Sequence, residues 1–260
     1  MRPDVISKTS KTMNSNLDNN TMKTTLQPTA DRLRPSFSRL AAALLLAAVL
    51  SASFVAHPAG AVMQSRSIQC ANLIYAGTNT SRCFSDEFLS IMQRETAIPT
   101  ERRFRSVRLN SDELFRYPFV MITGESDFTF TPRERENLRK YLTNGGFMLA
   151  SSGCSSTAWD TAFRRNLNQV LGEDGLELTR IPKEHAIFRT VYNIETLDLA
   201  RTDEDAYLEG ITHQGKIVLV YSRHGLNNTA NTNGCCCCGG NEIRNADRLN
   251  VNILMYSLLH

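Results

Sequence analysis

Three short apolar runs constrain the fold of this chain more than any other feature. They occupy residues 119–123, 147–150 and 217–221, and each is continuous rather than alternating. Runs of this length are typical of strands that are buried on both faces of a parallel sheet. Segments with helical spacing of apolar residues separate them. The pattern therefore predicts a three-layer α/β fold, with a mainly parallel sheet flanked by helices.

Weaker patterns predict the remaining elements. Strands are predicted at residues 68–75, 103–109 and 176–181, and helices at 85–95, 131–145, 159–171 and 245–258. The second helix has the clearest start, because Thr131 and Glu134 are spaced as a capping box around Pro132. Residues 183–214 have few periodic signals. We interpret them as an irregular insertion in a single domain that spans residues 62–260.

Residues 1–61 are predicted to be a disordered N-terminus followed by a signal peptide. An apolar run of 16 residues, 40–55, follows Arg32, Arg34 and Arg39, and Ala59-Gly60-Ala61 supplies an A-x-A cleavage site. The run is shorter than the roughly 20 residues of a membrane-spanning helix. We therefore expect export to the periplasm or the cell exterior, with an uncleaved signal segment as the one alternative that would hold the protein at a membrane.

The net charge argues against a nucleic-acid partner once the leader is set aside. The whole chain has a formal net charge of +3. Residues 62–260 contain 22 of the 29 basic and 23 of the 26 acidic side chains, so their net charge is −1. No basic stripe with interleaved aromatic residues is present in the sequence.

A serine-rich turn is predicted at the carboxyl end of the second buried strand. Ser151, Ser152, Ser155 and Ser156 surround Cys154, directly before a predicted helix. Open α/β sheets place their ligand crevice at this edge. Three interpretations stand at this point: the serines cap the helix, they bind an anion or carboxylate ligand through hydroxyl and free N–H groups, or the turn carries a nucleophile.

A nucleophile at this turn would be Cys154 or Ser152, and it would need a base. His185 follows the predicted strand at 176–181, and His224 follows the strand at 217–221. Both histidines are expected to reach the carboxyl edge of the sheet. This pattern predicts a hydrolase dyad of Cys154, or Ser152, with His185.

Four consecutive cysteines, 235–238, mark a second candidate site. All seven cysteines lie after the leader, so in an oxidising compartment at least one remains free, binds a metal or pairs with another molecule. The C-x-x-C spacing of Cys235 and Cys238 suits zinc or another thiophilic metal, with Cys154 and His224 as further ligands. Structural disulfides and thiol chemistry are the alternatives.

Five segments together resemble a bacterial family, the domain of unknown function 4159. They are residues 117–124, 138–149, 163–165, 181–188 and 250–256, and the resemblance runs over roughly residues 68–260. It implies a flavodoxin-related, class I glutamine amidotransferase-like fold. The family pattern has an acidic pair after the second buried strand, where this chain has Ser151-Ser152. The resemblance brings no established reaction.

These patterns lead to one functional expectation and two alternatives. We expect an exported α/β domain that binds a small ligand or a metal at the carboxyl edge of its sheet. The alternatives are the hydrolase with Cys154 or Ser152 and His185, and a non-catalytic interaction module stabilised by disulfides.

Overall fold

The computed structural model describes residues 67–227 and 241–260, which belong to one compact unit, Val62–His260. Its strands are β1 Cys70–Tyr75, β2 Asn79–Thr80, β3 Arg105–Arg108, β4 Phe119–Gly124, β5 Phe147–Ser152, β6 Thr179–Arg180, β7 Glu209–His213 and β8 Lys216–Ser222. Its helices are α1 Glu87–Glu95, α2 Pro132–Thr143, α3 Thr157–Leu171 and α4 Ala246–Leu259.

Five parallel strands form the body of a mixed sheet in the order β3-β1-β4-β5-β8. The strands β7 and β6 extend it antiparallel beyond β8. The short strand β2 pairs antiparallel with the end of β1. Ile74 already pairs with Arg108 of β3, so β2 lies on the other side of β1, which faces β4.

Helices cover both faces of the sheet, which confirms the predicted α/β layering. Alternate residues of β4 show the division: Phe119 and Met121 pack with α1 and α4, whereas Val120 and Ile122 pack with α2 and α3. Both groups are fully buried. Continuous apolar strands are what this arrangement requires, because both faces of each central strand are covered.

The start of α2 confirms the predicted capping box. Thr131 Oγ1 accepts a hydrogen bond from the Glu134 N–H at 3.3 Å, and Glu134 accepts one from the Thr131 N–H at 2.7 Å. The other carboxylate oxygen of Glu134 accepts the Ala76 N–H at 2.8 Å. Glu134 is 2% exposed. One buried carboxylate therefore joins the start of α2 to the turn between β1 and β2.

The region before β8 differs from the prediction in two respects. The strand expected at 176–181 is only β6, and β7 was not predicted, because its sequence contains a single aliphatic residue, Ile211. The irregular segment between them packs into the core through Phe188, Ile194 and Leu208. It therefore covers the α1 and α4 side of the sheet as part of the domain.

Replacement of Glu134 by alanine tests the role of this carboxylate. The change removes the acceptor of two backbone N–H groups, so we expect Glu134→Ala to lower the free energy of unfolding by about 2–3 kcal/mol. Urea unfolding measures the loss. Glu136→Ala is the matched control, since Glu136 lies on the same helix in an exposed pair with Lys140, and exposed ion pairs contribute little to stability. Equal losses would contradict the interpretation.

Candidate functional site

Three hydroxyl side chains stand side by side at the carboxyl ends of the central strands. Thr123 of β4 pairs in register with Ser151 of β5, and Ser151 pairs with Ser222 of β8. The residue two positions before each of them packs toward α1 and α4. Because successive side chains of a strand point to opposite faces, all three hydroxyl side chains lie on that same face of the sheet. The three side chains are at most 5% exposed. They form a buried polar row in an otherwise apolar layer.

The segment after β8 crosses this row and closes it. The Leu226 N–H donates to Ser151 Oγ at 2.8 Å, and the Leu226 carbonyl accepts from Asn250 Nδ2 at 2.9 Å. The next residue, Asn227, accepts the Ser85 N–H at 2.6 Å and donates to the Cys83 carbonyl. Residues 222–227 are thus tied to β5, to α4 and to the loop before α1.

The usual ligand crevice of an open α/β sheet is filled by the chain itself. That crevice opens where the strand order reverses, which here is between β1 and β4. The strand β2 lies on this side of β1, and Ser81, the residue after it, accepts the Thr123 N–H at 3.1 Å. A ligand site at the carboxyl edge is therefore displaced toward β5 and β8.

Three of the four serines predicted to bind a ligand have partners within the protein. Ser151 Oγ accepts the Leu226 N–H, and Ser152 Oγ donates to the Ser156 carbonyl at 2.8 Å. Ser156 caps α3 by accepting the Trp159 N–H, and it donates to the Glu125 carbonyl at 2.5 Å. These contacts favour the structural interpretation of Ser151, Ser152 and Ser156.

The turn between β5 and α3 adopts a strained backbone. Cys154 and Ser155 both have left-handed φ angles, 54° and 55°, which non-glycine residues adopt at a cost of about 1–3 kcal/mol. Ser155 Oγ is buried and has no hydrogen-bond partner. Backbone strain of this kind is common at ligand sites. The turn at the carboxyl end of β5 is therefore a candidate for such a site.

The other unpartnered buried polar side chains lie close to the same edge. Besides Ser155, the described residues leave Ser222 Oγ, Asn250 Oδ1 and Asn245 Oδ1 without a hydrogen-bond partner. Ser222 ends β8, Asn245 precedes α4 and Asn250 lies in its second turn. An unmet buried group costs about 1–3 kcal/mol. Their gathering at one edge distinguishes this edge from the rest of the described structure.

His224 is where the sequence predicted it, at the carboxyl edge after β8, and it is 5% exposed. Burial lowers the pKa of its imidazole, and the neighbouring Arg223 lowers it further, whereas Glu204 and Asp160 act in the opposite direction. The neutral form is therefore favoured, and a neutral imidazole offers one donor and one acceptor.

An ion-pair network that the sequence did not reveal fixes the first turn of α3 beside this edge. Arg164 binds both carboxylate oxygens of Glu209, at 3.0 and 2.5 Å, and its Nε donates to Asp160 at 2.7 Å. The Tyr221 hydroxyl donates to the same Asp160 oxygen at 2.5 Å. Burial and Asp160 raise the pKa of Tyr221. The residues of this network lie between Asp160 and Tyr221 in the sequence, so no local motif predicts it.

The structure does not bring His185 to the carboxyl edge, which corrects that expectation. Its ring contacts Tyr256 at a centroid distance of 5.2 Å, and the Tyr256 hydroxyl accepts the N–H of Ile217, at the start of β8. His185 therefore lies at the amino edge, and burial and His260 lower its pKa. A neighbouring pocket of about 160 Å³ contains His213, Lys216 and His260. Cys154 and His185 are not brought together as a dyad.

The cysteines divide into three groups. Cys70 is a free, buried thiol whose pKa is raised to about 12, chiefly by burial and secondly by Glu101. Cys83 and Cys154 each have a partner in the protein, so neither is a free thiol that could supply a thiolate for nucleophilic attack. Cys235 and Cys238, the predicted metal ligands, lie outside the described residues.

The described residues contain neither a metal-ligand cluster nor a membrane-spanning helix. Within residues 67–227 and 241–260, no group of three or more His, Cys, Asp or Glu side chains is arranged to hold a metal ion. In those ranges no helix has the length and apolar character needed to cross a membrane. The predicted zinc site with Cys154 and His224 stays a prediction.

Ser151 and Ser222 offer a matched test of the polar row, since they are register partners of the same type and depth. Ser151→Ala leaves the buried Leu226 N–H without an acceptor, so we expect a loss of about 1–2 kcal/mol in the free energy of unfolding. Ser222→Ala removes a hydroxyl that has no partner among the described residues, so we expect no loss in the free energy of unfolding and a gain of up to about 1 kcal/mol. Urea unfolding of both variants measures the contrast, and similar losses would contradict it.

Comparison with known proteins places the chain in a family. No curated protein matches it. Residues 69–258 match the family described as a domain of unknown function, DUF4159. This span includes every element of the sheet, all four helices up to the last turn of α4, and the whole carboxyl edge. The chain belongs to the DUF4159 family.

Proposed function

We propose that this domain binds a small ligand at the carboxyl edge of its sheet, near the ends of β5 and β8. The observation that carries the proposal is that Ser155 Oγ after β5, Ser222 Oγ at the end of β8 and Asn250 Oδ1 near the start of α4 are buried without a hydrogen-bond partner. Natural proteins rarely leave such groups unmet without water, an ion or a ligand to complete them. The left-handed turn at Cys154 and Ser155 adds support.

The strand order supports the same location. Numbered along the chain, the five parallel strands are arranged 2-1-3-4-5, which is the order of flavodoxin-like sheets. We therefore propose a flavodoxin-like fold, and with it the class I glutamine amidotransferase-like relationship that the sequence resemblance implies. Proteins of this architecture bind ligands at the carboxyl ends of the strands.

The hydrolase alternative has less support than ligand binding. It requires a thiolate or alkoxide beside a base, whereas Cys154 is not a free thiol and Ser152 Oγ donates to the Ser156 carbonyl. His185 lies at the other edge of the sheet. His224 lies at the correct edge, but no hydrogen bond joins it to Ser152 within the described residues.

A ligand screen tests the proposal. We expect at least one metabolite-sized compound in a library of sugars, amino acids, carboxylates and phosphates to raise the melting temperature of the purified protein. Loss of one hydrogen-bonding group costs about 1–1.5 kcal/mol of binding free energy, so Ser222→Ala should lower the affinity for that compound about tenfold. Isothermal titration calorimetry measures the affinity of both proteins.

Ser106→Ala provides the control, because Ser106 is an exposed residue on β3, at the opposite side of the sheet. It should leave the affinity unchanged. A compound that binds wild type and Ser222→Ala equally would place the ligand elsewhere and overturn the proposal.

We also propose that the protein works after export, in the periplasm or outside the cell. The apolar run at 40–55 and the Ala59-Gly60-Ala61 motif support this.

Mass spectrometry of the protein from a fractionated bacterial culture checks the export proposal. The expected product begins at Val62 and occurs outside the cytoplasm. Ala61→Arg should block cleavage and retain the leader, because signal peptidase requires a small residue before the cut. A full-length product that stays in the cytoplasm would contradict export.

A further inference from the structure

The pocket that contains His213, Lys216 and His260 lies at the amino edge of the sheet, where β5 and β8 begin. Its volume of about 160 Å³ is well above the roughly 10–15 Å³ that one water molecule needs, so an ion of phosphate size fits. The ends of α2 and α4 and the β7–β8 turn enclose this amino-edge pocket. Of the described residues that line it, none is an aspartate or a glutamate.

The β7–β8 turn holds two nitrogen-bearing side chains beside each other. Its two residues, Gln214 and Gly215, have φ angles of 51° and 77°, and positive values at both positions are typical of a type I′ hairpin. His213 and Lys216 are therefore register partners, and both line the pocket. Directly opposed residues have Cβ atoms about 4.5–5.5 Å apart. One small ligand can thus contact the Lys216 ammonium group and the His213 ring together.

Lys216 differs from the other described lysines because it has no ion pair. Lys140 pairs with Glu136 at 2.6 Å. Lys183 pairs with Asp205 at 3.3 Å. No carboxylate of the described residues pairs with Lys216 in this way. An ammonium group only donates, and its strongest hydrogen bonds go to anionic oxygens.

The helix side of the pocket offers acceptors instead. The Ser257 hydroxyl donates its proton to the Leu254 carbonyl at 2.6 Å, and the Thr143 hydroxyl donates to the Arg139 carbonyl at 2.9 Å. A hydroxyl has one proton, so both oxygens are left as acceptors. The ends of α2 and α4 also carry partial negative charge, and a main-chain carboxylate at His260 would act in the same direction. This side therefore requires a ligand group that donates.

His260 has one ring nitrogen left for a ligand. Its Nδ1 lies 3.1 Å from the Tyr256 carbonyl oxygen, which only accepts, so Nδ1 carries the proton of the neutral ring. The ring also stacks on Tyr256 at a centroid distance of 4.3 Å. Nε2 of the neutral ring is therefore a further acceptor at the helix side of the pocket.

A ligand of this pocket must combine an anionic oxygen with a donor. Acetate and sulfate have no proton to donate at neutral pH, so they suit Lys216 and His213 but not the helix side. A cation is repelled by Lys216. Inorganic phosphate retains a P–O–H group at neutral pH, and it brings both kinds of group in one small ion.

We propose that the amino-edge pocket binds inorganic phosphate in a protonated form. Phosphate oxygens accept from Lys216 Nζ and from the ring N–H of His213, and the P–O–H group donates to His260 Nε2. This site lies at the opposite edge from the proposed ligand site, and the proposal does not rest on that function.

A comparison of phosphate with sulfate tests the ligand without any variant. Isothermal titration calorimetry of the full-length protein at pH 7 and constant ionic strength measures both affinities. We expect phosphate to bind, and sulfate to bind about tenfold more weakly because it cannot donate to the helix side. Equal affinities, or no phosphate binding at up to about 20 mM, would overturn the proposal.

Lys216→Gln tests the position of the site. It removes a charge-assisted hydrogen bond, so the affinity for phosphate should fall about tenfold or more. Lys183→Gln is the matched control, since Lys183 is also an exposed lysine but does not line this pocket, and it should leave the affinity unchanged. Equal losses in the two variants would indicate a general effect of charge and overturn the proposal.

His260→Phe tests the acceptor. Phenylalanine retains an aromatic ring for the stack on Tyr256 and lacks Nε2, so the preference for phosphate over sulfate should decrease. A preference equal to that of the wild-type protein would overturn the hydrogen bond to His260.

Ser222→Ala separates this site from the proposed function. Ser222 lies at the other end of β8, so the variant should bind phosphate with unchanged affinity. A phosphate compound that Lys216→Gln weakens and Ser222→Ala does not is assigned to the amino edge, and the carboxyl-edge site is tested with compounds that Lys216→Gln does not affect. Weaker phosphate binding in Ser222→Ala alone would overturn the amino-edge site and leave the proposed function standing.

Discussion

Buried asparagine side chains hold the irregular segments of this protein against its sheet, and the positions of its loops depend on them. A backbone segment without regular structure must satisfy its own N–H and carbonyl groups before it can be buried. Asn166 does this for the loop before α2, accepting the Phe130 N–H and donating to the Phe128 carbonyl. Asn252 does it for the segment before β7, accepting the N–H groups of Val191 and Tyr192.

The same device shapes the carboxyl edge. Asn227 and Asn250 fix the segment after β8, one through the loop before α1 and the other through the Leu226 carbonyl. The side-chain amide of asparagine has a donor, Nδ2, and an acceptor, Oδ1. In Asn250 only Nδ2 is hydrogen-bonded, and that bond to the Leu226 carbonyl fixes the direction of Oδ1. The unmet acceptor at Asn250 is therefore a consequence of how residues 222–227 are held.

The layered core was predictable from the sequence, because hydrophobic periodicity reports burial directly. The apolar runs of β4, β5 and β8 and the capping box of α2 are local patterns, set by residues a few positions apart. These elements were therefore predicted near their observed bounds. The strand β7 was missed, since residues such as Glu209 and Gly210 lack an apolar alternation, and its pairing with β8 decides its conformation. Tertiary pairing overrides weak local propensity in such strands.

The candidate site was predictable only as a location. The turn after β5 and His224 after β8 follow from the rule that parallel strands end at a common edge. His185 was assigned to that edge because the sequence shows no turn back toward the amino end between residues 181 and 208. The sequence also did not show which serine hydroxyls would lack a hydrogen-bond partner. Ser151 and Ser222 are alike in type and depth, and only the path of residues 222–227 gives one of them a partner.

The hairpin at β2 explains why the site is displaced from the usual crevice. Glu134 holds the β1–β2 turn through the Ala76 N–H, and Ser81 then accepts the Thr123 N–H between β1 and β4. The Thr123 N–H of β4, which faces this crevice, thus has its acceptor within the chain. At β8 the described residues supply no corresponding partner for Ser222. One end of the carboxyl edge is thus filled by the chain and the other is left incomplete, which is why we propose the ligand site at β5 and β8.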